Sequence, residues 1–210
     1  MEFEDIEDEI GPAKADASGF LQGQFLVAMP GIGDDRFERA VIFIVNHSAR
    51  GALGFVINHE TEFSTGDILA RAGIEDDSAH DIMTEDEPDE AALSVVKGGP
   101  VEDSRGFVLH TPDYASESTS RLADGLSLTT TLDVLRAVSR GRGPRRALLS
   151  LGYAGWGPGQ LEDELRENVW LTVETEIDLV FDVPAAERYE TALGRLGVAP
   201  GALSMTAGNA

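Results

Sequence analysis

A chain of 210 residues, 42% of them hydrophobic, has material for a sizeable core but is short for two domains, so one domain is expected. The absence of cysteine excludes disulfides, thiolate zinc sites and cysteine nucleophiles. A net charge of −22 opposes direct nucleic-acid binding, whose affinity comes chiefly from neutralised phosphates.

The acidity is concentrated. Residues 1–10 hold six acids and no base, and residues 75–90 hold nine acids with no Lys or Arg. Residues 1–18 therefore read as a disordered acidic tail and 19–210 as a single domain interrupted by a solvated acidic loop at 75–90. The opening MEFEDIEDEI is acidic where a signal peptide would be basic. The longest apolar run, Ala40–Val45, is far below the ~20 residues that span a bilayer. The expectation is a cytoplasmic protein with no membrane segment.

In chain order, Phe25–Met29 reads as a short strand stopped by Pro30. Ala40–Asn46 is a continuous apolar run, which suggests a strand covered on both faces. Leu53–Asn58 follows after so short a turn that an antiparallel hairpin is expected. Ser64 is an N-cap candidate for a short helix ending at Gly73. Ser94–Lys97 and Gly106–His110 read as strands either side of the sharp turn Gly98-Gly99-Pro100-Val101. Residues 112–124 read as a polar Ser/Thr loop. Leu126–Leu128 reads as a strand, and Thr129–Thr131 as caps for a helix whose Leu132, Leu135 and Val138 form one apolar face.

Leu148–Leu171 reads as a buried strand, a glycine-rich turn at Gly152–Gly159 carrying Trp156, an acidic helix, and a second strand from Trp170. Asp178–Asp182 reads as a strand. Pro184 opens a helix with Tyr189, Ala192, Leu193 and Leu196 on one face, closed by Gly197. Strand pairs and helices alternate without a βαβ rhythm, which favours an α+β fold.

The glycine-rich turn is the natural place for an anion, because backbone N–H groups are free where such loops enter helices. It lacks the Gly-Lys-Ser/Thr ending of a Walker loop and the third glycine of a dinucleotide fingerprint. Glu162 and Asp163 at the helix start would also repel phosphate. In that helix Leu161 and Leu165 point inward and Glu162 pairs with Arg166 outward. Glu162 and Glu164 point about 200° apart, so they cannot act as a close acid–base pair.

His59-Glu60-Thr61-Glu62-Phe63 begins like a metalloprotease helix but has Phe63 where the second histidine would stand. His47, His59 and His110 lie near strand ends without ligand spacing, so no metal is assigned. No Gly-x-Ser-x-Gly elbow occurs. Arg140, Arg142, Arg145 and Arg146 form a basic patch, read as helix-end and loop charges rather than an anion site.

Several blocks together resemble the YqgE/AlgH family of bacterial proteins. They are Gly23–Pro30, His47 with Gly54–Asn58, Gly98–Val101, Gly106–His110, Leu151–Trp156 running into Gly159–Glu162, Asn168 with Trp170, and Leu179–Asp182. The family commonly ends Gly-His-Ala where this chain has Gly208-Asn209-Ala210, and the acidic insertion at 75–90 is peculiar to this chain.

The resemblance implies an α+β fold in which a strongly bent, mainly antiparallel or mixed sheet curls into an incomplete barrel with flanking helices. It implies no established activity and no cofactor. One branch carries the label of transcriptional regulator, but no basic recognition helix is visible here. The leading reading is a non-enzymatic binding or regulatory protein acting through a small ligand or a protein partner. Its pocket would draw on His47, Asn58, Gly98, Gly99, Pro100, His110, Gly155, Trp156 and Gln160. The rival reading, a hydrolase or transferase on a small metabolite, predicts that His47 and His110 meet in one cleft. Oligomeric state is left open.

Overall fold

The computed structural model describes residues 19–74, 92–122, 125–174 and 176–198. The expected acidic tail, the acidic loop and the Gly-Asn-Ala end fall outside the described residues. The strands are β1 (Phe25–Ala28), β2 (Val41–Ser48), β3 (Gly51–Val56), β4 (Ala92–Lys97), β5 (Val101–His110), β6 (Thr119–Arg121), β7 (Ser127–Thr129), β8 (Arg146–Trp156) and β9 (Trp170–Val173). The helices are α1 (Thr65–Arg71), α2 (Asp133–Val138), α3 (Gln160–Arg166), α4 (Ile177–Phe181) and α5 (Arg188–Arg195), with single 3-10 turns at Asp35–Phe37 and Ala185–Glu187.

The strands form one curled sheet in the order β6-β7-β5-β8-β3-β2-β1-β9, with β4 added parallel to β8. All other pairings are antiparallel. The architecture is an α+β half-barrel. β8 is its branch point: its first half pairs with β4 and β5, and Ala154–Trp156 pairs with β3.

Such branching requires the chain to pass from β4 to β5 across the backbone of β8. The turn Gly98-Gly99-Pro100 makes that crossing. A Cβ on Gly98 would run into Ser150 Oγ and the Gly152 carbonyl, and one on Gly99 would fall within the Tyr153–Ala154 peptide. Gly152 meets them from below, at φ 74°, with Ser150 Oγ donating to its carbonyl at 3.0 Å. Only glycine permits backbone to approach backbone this closely.

Gly152 has a second effect. Side chains alternate across a strand, so an irregular residue switches the faces beyond it. Leu148 and Tyr153, five residues apart, share one core cluster, whereas Ala154 and Trp156 join the opposite one with Leu161 and Trp170. Trp156 is thereby delivered to the face that carries α3.

The sheet is covered on both faces. In β2, Val41, Phe43 and Val45 pack toward α4 and α5, while Ile42 and Ile44 pack toward α3. A third cluster joins Ile68 and Leu69 of α1 to Val134 and Leu135 of α2 over Val108 and Leu149. The capping box on α1 is present, with Ser64 Oγ accepting from Asp67 N–H and the Asp67 carboxylate from Ser64 N–H.

The structure departs from the sequence expectations in five places. The glycine stretch Gly152–Trp156 is strand rather than turn, and the turn is confined to Gly157-Pro158-Gly159. Ile177–Phe181 is a single helical turn rather than a strand, with Leu179 and Val180 buried together and Asp178 and Glu176 tied to Arg195. Adjacent residues on one helical flank can be buried in the same cluster, as Leu179 and Val180 are, whereas in a strand they face opposite sides. The polar loop contains β6, because Thr119 and Arg121 pair with Thr129 and Ser127. α2 has no Thr cap; its N-cap is Leu132, which is 43% exposed, so the buried face is Val134 and Leu135. Leu196, expected on the buried face of α5, is also exposed, while Tyr189, Ala192 and Leu193 are buried.

The crossing gives a direct stability test. Gly99→Ala is expected to cost about 3–5 kcal/mol, because the clash is with backbone that no rotamer can relieve. Gly159→Ala, at φ 75° with nothing near the added methyl, should cost about 1–2 kcal/mol from backbone strain alone. Urea unfolding of the two variants measures the difference, and a Gly99→Ala protein as stable as Gly159→Ala would contradict the crossing.

Candidate functional site

α3 begins after Gly159, whose left-handed conformation turns the chain out of β8. It ends at Asn168, also left-handed at φ 58°, with Val169 N–H returning to the Glu164 carbonyl at 2.9 Å. Asn tolerates this conformation better than other side chains. The reversal sets Trp170 beside Trp156, with ring centroids 6.0 Å apart and nearly perpendicular.

Glu164 sits between the two indoles. Its Oε2 accepts Trp156 Nε1–H at 2.8 Å and Trp170 Nε1–H at 2.7 Å, and its Oε1 accepts from Gln160 Nε2 at 2.8 Å. The amide oxygen of Gln160 in turn accepts Gly157 N–H at 3.0 Å. One carboxylate thus locks strand end, turn and helix together.

These residues form one wall of a cleft of about 350 Å³. Phe37, edge-on to Trp170 at 5.9 Å, continues that wall with Ile32, and Pro100 and Val101 from the crossing complete the lining. Arg36 stands at the rim, its guanidinium 5.8 Å from the Phe37 ring centre and bidentate on Asp34. The Arg36 hydrogen bond holds the Asp34 carboxyl below the usual range, and Asp34 in turn raises Arg36.

Of the residues singled out from sequence, Pro100, Gly155, Trp156 and Gln160 line this cleft. The others lie elsewhere. Gly98 and Gly99 form the crossing. Asn58 clamps the end of the hairpin, its Oδ1 accepting Val41 N–H at 2.7 Å and its Nδ2 donating to the Arg39 carbonyl at 2.8 Å.

His47 is buried behind α3. Its Nδ1 accepts Leu21 N–H at 3.0 Å, which leaves the ring proton on Nε2 to donate to Glu162 at 3.2 Å. Glu162 is therefore not paired with Arg166, which bonds Asp163 instead. Glu162 and Glu164, on opposite sides of the helix, hold it from behind and in front.

His110 is fully buried on β5. Nδ1–H donates to the Thr111 carbonyl at 2.8 Å, and Nε2 accepts Thr129 Oγ1–H at 2.9 Å. Thr129 is bonded onward to Thr119 and Thr119 to Ser116, which gives two of the hydroxyls of 112–124 a place in one network. All four ring nitrogens of His47 and His110 thus have other partners, so the two do not bond each other, and neither lines the cleft. His59 bonds the Glu38 carbonyl, and among the described residues no group of three or more His, Asp or Glu is placed to hold a metal ion. The basic patch is partly neutralised by Arg145–Asp113 and Arg146–Asp182 pairs.

The AlgH-like family model (DUF179) matches residues 25–201. The chain belongs to the AlgH-like family. It is 50% identical over 193 residues to a UPF0301 protein of Rhodospirillum rubrum, covering 91% of this chain and 95% of that one. It is 45% identical over 202 residues to a UPF0301 protein of Bradyrhizobium diazoefficiens, covering 95% and 93%. The solution structure of AlgH from Pseudomonas aeruginosa superposes with a TM-score of 0.70 at 37% identity, covering 94% of this chain and all of that one. The crystal structure of a Corynebacterium diphtheriae protein shares the fold at a TM-score of 0.65 and 19% identity, covering 87% and 89%.

Two outcomes follow. Glu164→Leu leaves two buried indole N–H groups unpaired and is expected to cost about 3 kcal/mol, with a shift in tryptophan emission. An unchanged urea midpoint would contradict the locking role. Burial also pushes the His110 imidazole below its ordinary range, against the hydrogen bond to Thr111 and the nearby Asp113. The native ring then stays neutral where the unfolded ring takes a proton, so this contribution destabilises the fold as pH falls below about 6.5. An NMR titration should show the His110 ring protonating at lower pH than a free histidine; protonation at or above the ordinary value would contradict its burial.

Proposed function

We propose that this AlgH-like protein is a cytoplasmic, non-enzymatic binding protein that holds a small ligand, with a flat apolar portion, in the cleft between Trp156, Trp170, Phe37 and Pro100. The observation that carries this reading is the occupancy of the cleft's charges. Glu164 is held by three N–H donors and Arg36 by Asp34, so both charges already have partners within the protein. What remains for a ligand is a lining shared about evenly between polar groups, from Asp34, Arg36, Gln160 and Glu164, and apolar ones, from Ile32, Phe37, Pro100, Val101 and the indole edges. The regulatory reading follows from binding: ligand occupancy would change what α3 and the crossing present to a partner. The net charge of −22 counts against DNA as that partner.

Both tryptophans of the chain line this cleft, so intrinsic emission reports on it directly. Titration with a panel of aromatic and aliphatic metabolites is expected to give at least one saturable emission change, matched by heat in isothermal titration. Val101→Trp enlarges a 37%-exposed side chain that already lines the cleft and should weaken that binding at least tenfold. Blank titrations by both methods, with nothing retained in a pull-down from source extract, would overturn the reading.

A further inference from the structure

A second site lies where α5 begins, sharing no lining residue with the tryptophan cleft. Arg188 is only 2% exposed. Its Nε donates to the Val183 carbonyl at 2.9 Å and its Nη1 to the Ile57 carbonyl. Nη2 bonds no described residue, and no described carboxylate lies within ion-pair distance of the guanidinium. The arginines paired with described acidic groups are more exposed, from 18% for the Arg195 side chain to 76% for that of Arg145.

Burying a cation without a counter-charge is costly, and main-chain carbonyls offset that cost only in part. Burial alone pushes the Arg188 guanidinium down to about 10, still charged at neutral pH. Holding the Val183 and Ile57 carbonyls takes two N–H donors and no positive charge. The charge itself therefore calls for an explanation.

The surroundings supply one. Arg188 lines an open pocket of about 370 Å³. Thr61 and Ser94 line the same space, and Val95 and Phe181 contribute apolar surface to it. Glu60 also borders it, and that acid disfavours multiply charged ligands. A guanidinium fork matches a carboxylate, and desolvation strengthens that bond. We propose that this pocket binds a small organic monoanion, its carboxylate on the free edge of Arg188 and its hydrocarbon part against Val95 and Phe181.

The test uses the full chain at low ionic strength. Isobutyrate, benzoate and inorganic phosphate are titrated while the Arg188 side-chain N–H signals are followed by nitrogen–proton NMR. The expected result is a saturable shift with one of the two carboxylates, at least tenfold weaker binding of phosphate, and unchanged tryptophan emission. Ser94→Phe, at an exposed edge-strand position, fills the pocket without touching the buried fork and should abolish the shift. Arg188→Gln should abolish carboxylate binding as judged by calorimetry. If Arg188→Gln does not fold, Ser94→Phe decides alone. No shift with either carboxylate up to about 100 mM, where binding would be weaker than ~1.4 kcal/mol, overturns the proposal. So does a shift that Ser94→Phe leaves intact. A tryptophan response accompanying the Arg188 shift would place the anion in the other cleft and also overturn it.

Discussion

Everything in this fold depends on two backbone segments crossing with no side chain between them. Gly98 and Gly99 pass over Gly152, and that contact lets one strand, β8, carry β4 on one edge and β5 on the other. A curled sheet of this kind could be branched elsewhere, but here the branch point is specified by three residues that only glycine can fill. The same irregularity at Gly152 switches the faces of β8, and so determines that Trp156 points toward α3. The crossing also places Pro100 and Val101 at the mouth of the cleft. Fold and site therefore rest on one constraint.

The cleft shows how one carboxylate can organise the groups around it. Glu164 satisfies two indoles and one amide drawn from β8, β9 and α3. Each of those donors would otherwise lose water without replacement, which is expensive in a partly closed space. His47 and Glu162 hold the same helix from its far side. The result is a rigid aromatic wall, and preorganised walls favour binding because little ordering remains to be done when a ligand arrives.

Much of this was legible in the chain. The run Ala40–Asn46 is continuous in apolar residues and is buried on both faces, as such runs should be. The Ser64 cap and the Tyr189, Ala192, Leu193 face were readable for the same reason: each expresses a period or a cap fixed by local geometry. Gly152–Trp156 was not, since glycine density normally marks a turn, and nothing local reveals that the glycines serve a crossing partner fifty residues away. The strand expected at Asp178–Asp182 failed because its apolar run, Leu179–Phe181, is too short to carry a period that distinguishes strand from helix. Among site residues, Pro100, Gly155, Trp156 and Gln160 were visible as turn and aromatic signals. Glu164, Trp170 and Phe37 converge only in three dimensions, although Glu164 stands four residues after Gln160 and on the same helical face. His47, Asn58 and His110 drew notice as polar groups near strand ends, and the structure uses each of them to close backbone or hydroxyl networks.

The account's central claim is that the Trp156–Trp170 cleft exists to hold a ligand. A crystal structure of protein purified from its own source, without dialysis, tests it most directly. The expected result is non-protein density in the cleft, lying on the accessible edges of Phe37, Trp156 and Trp170 and against Pro100, with Glu164 still bonded to both indoles. A cleft filled by ordered water alone, or closed by the protein's own side chains, would contradict it.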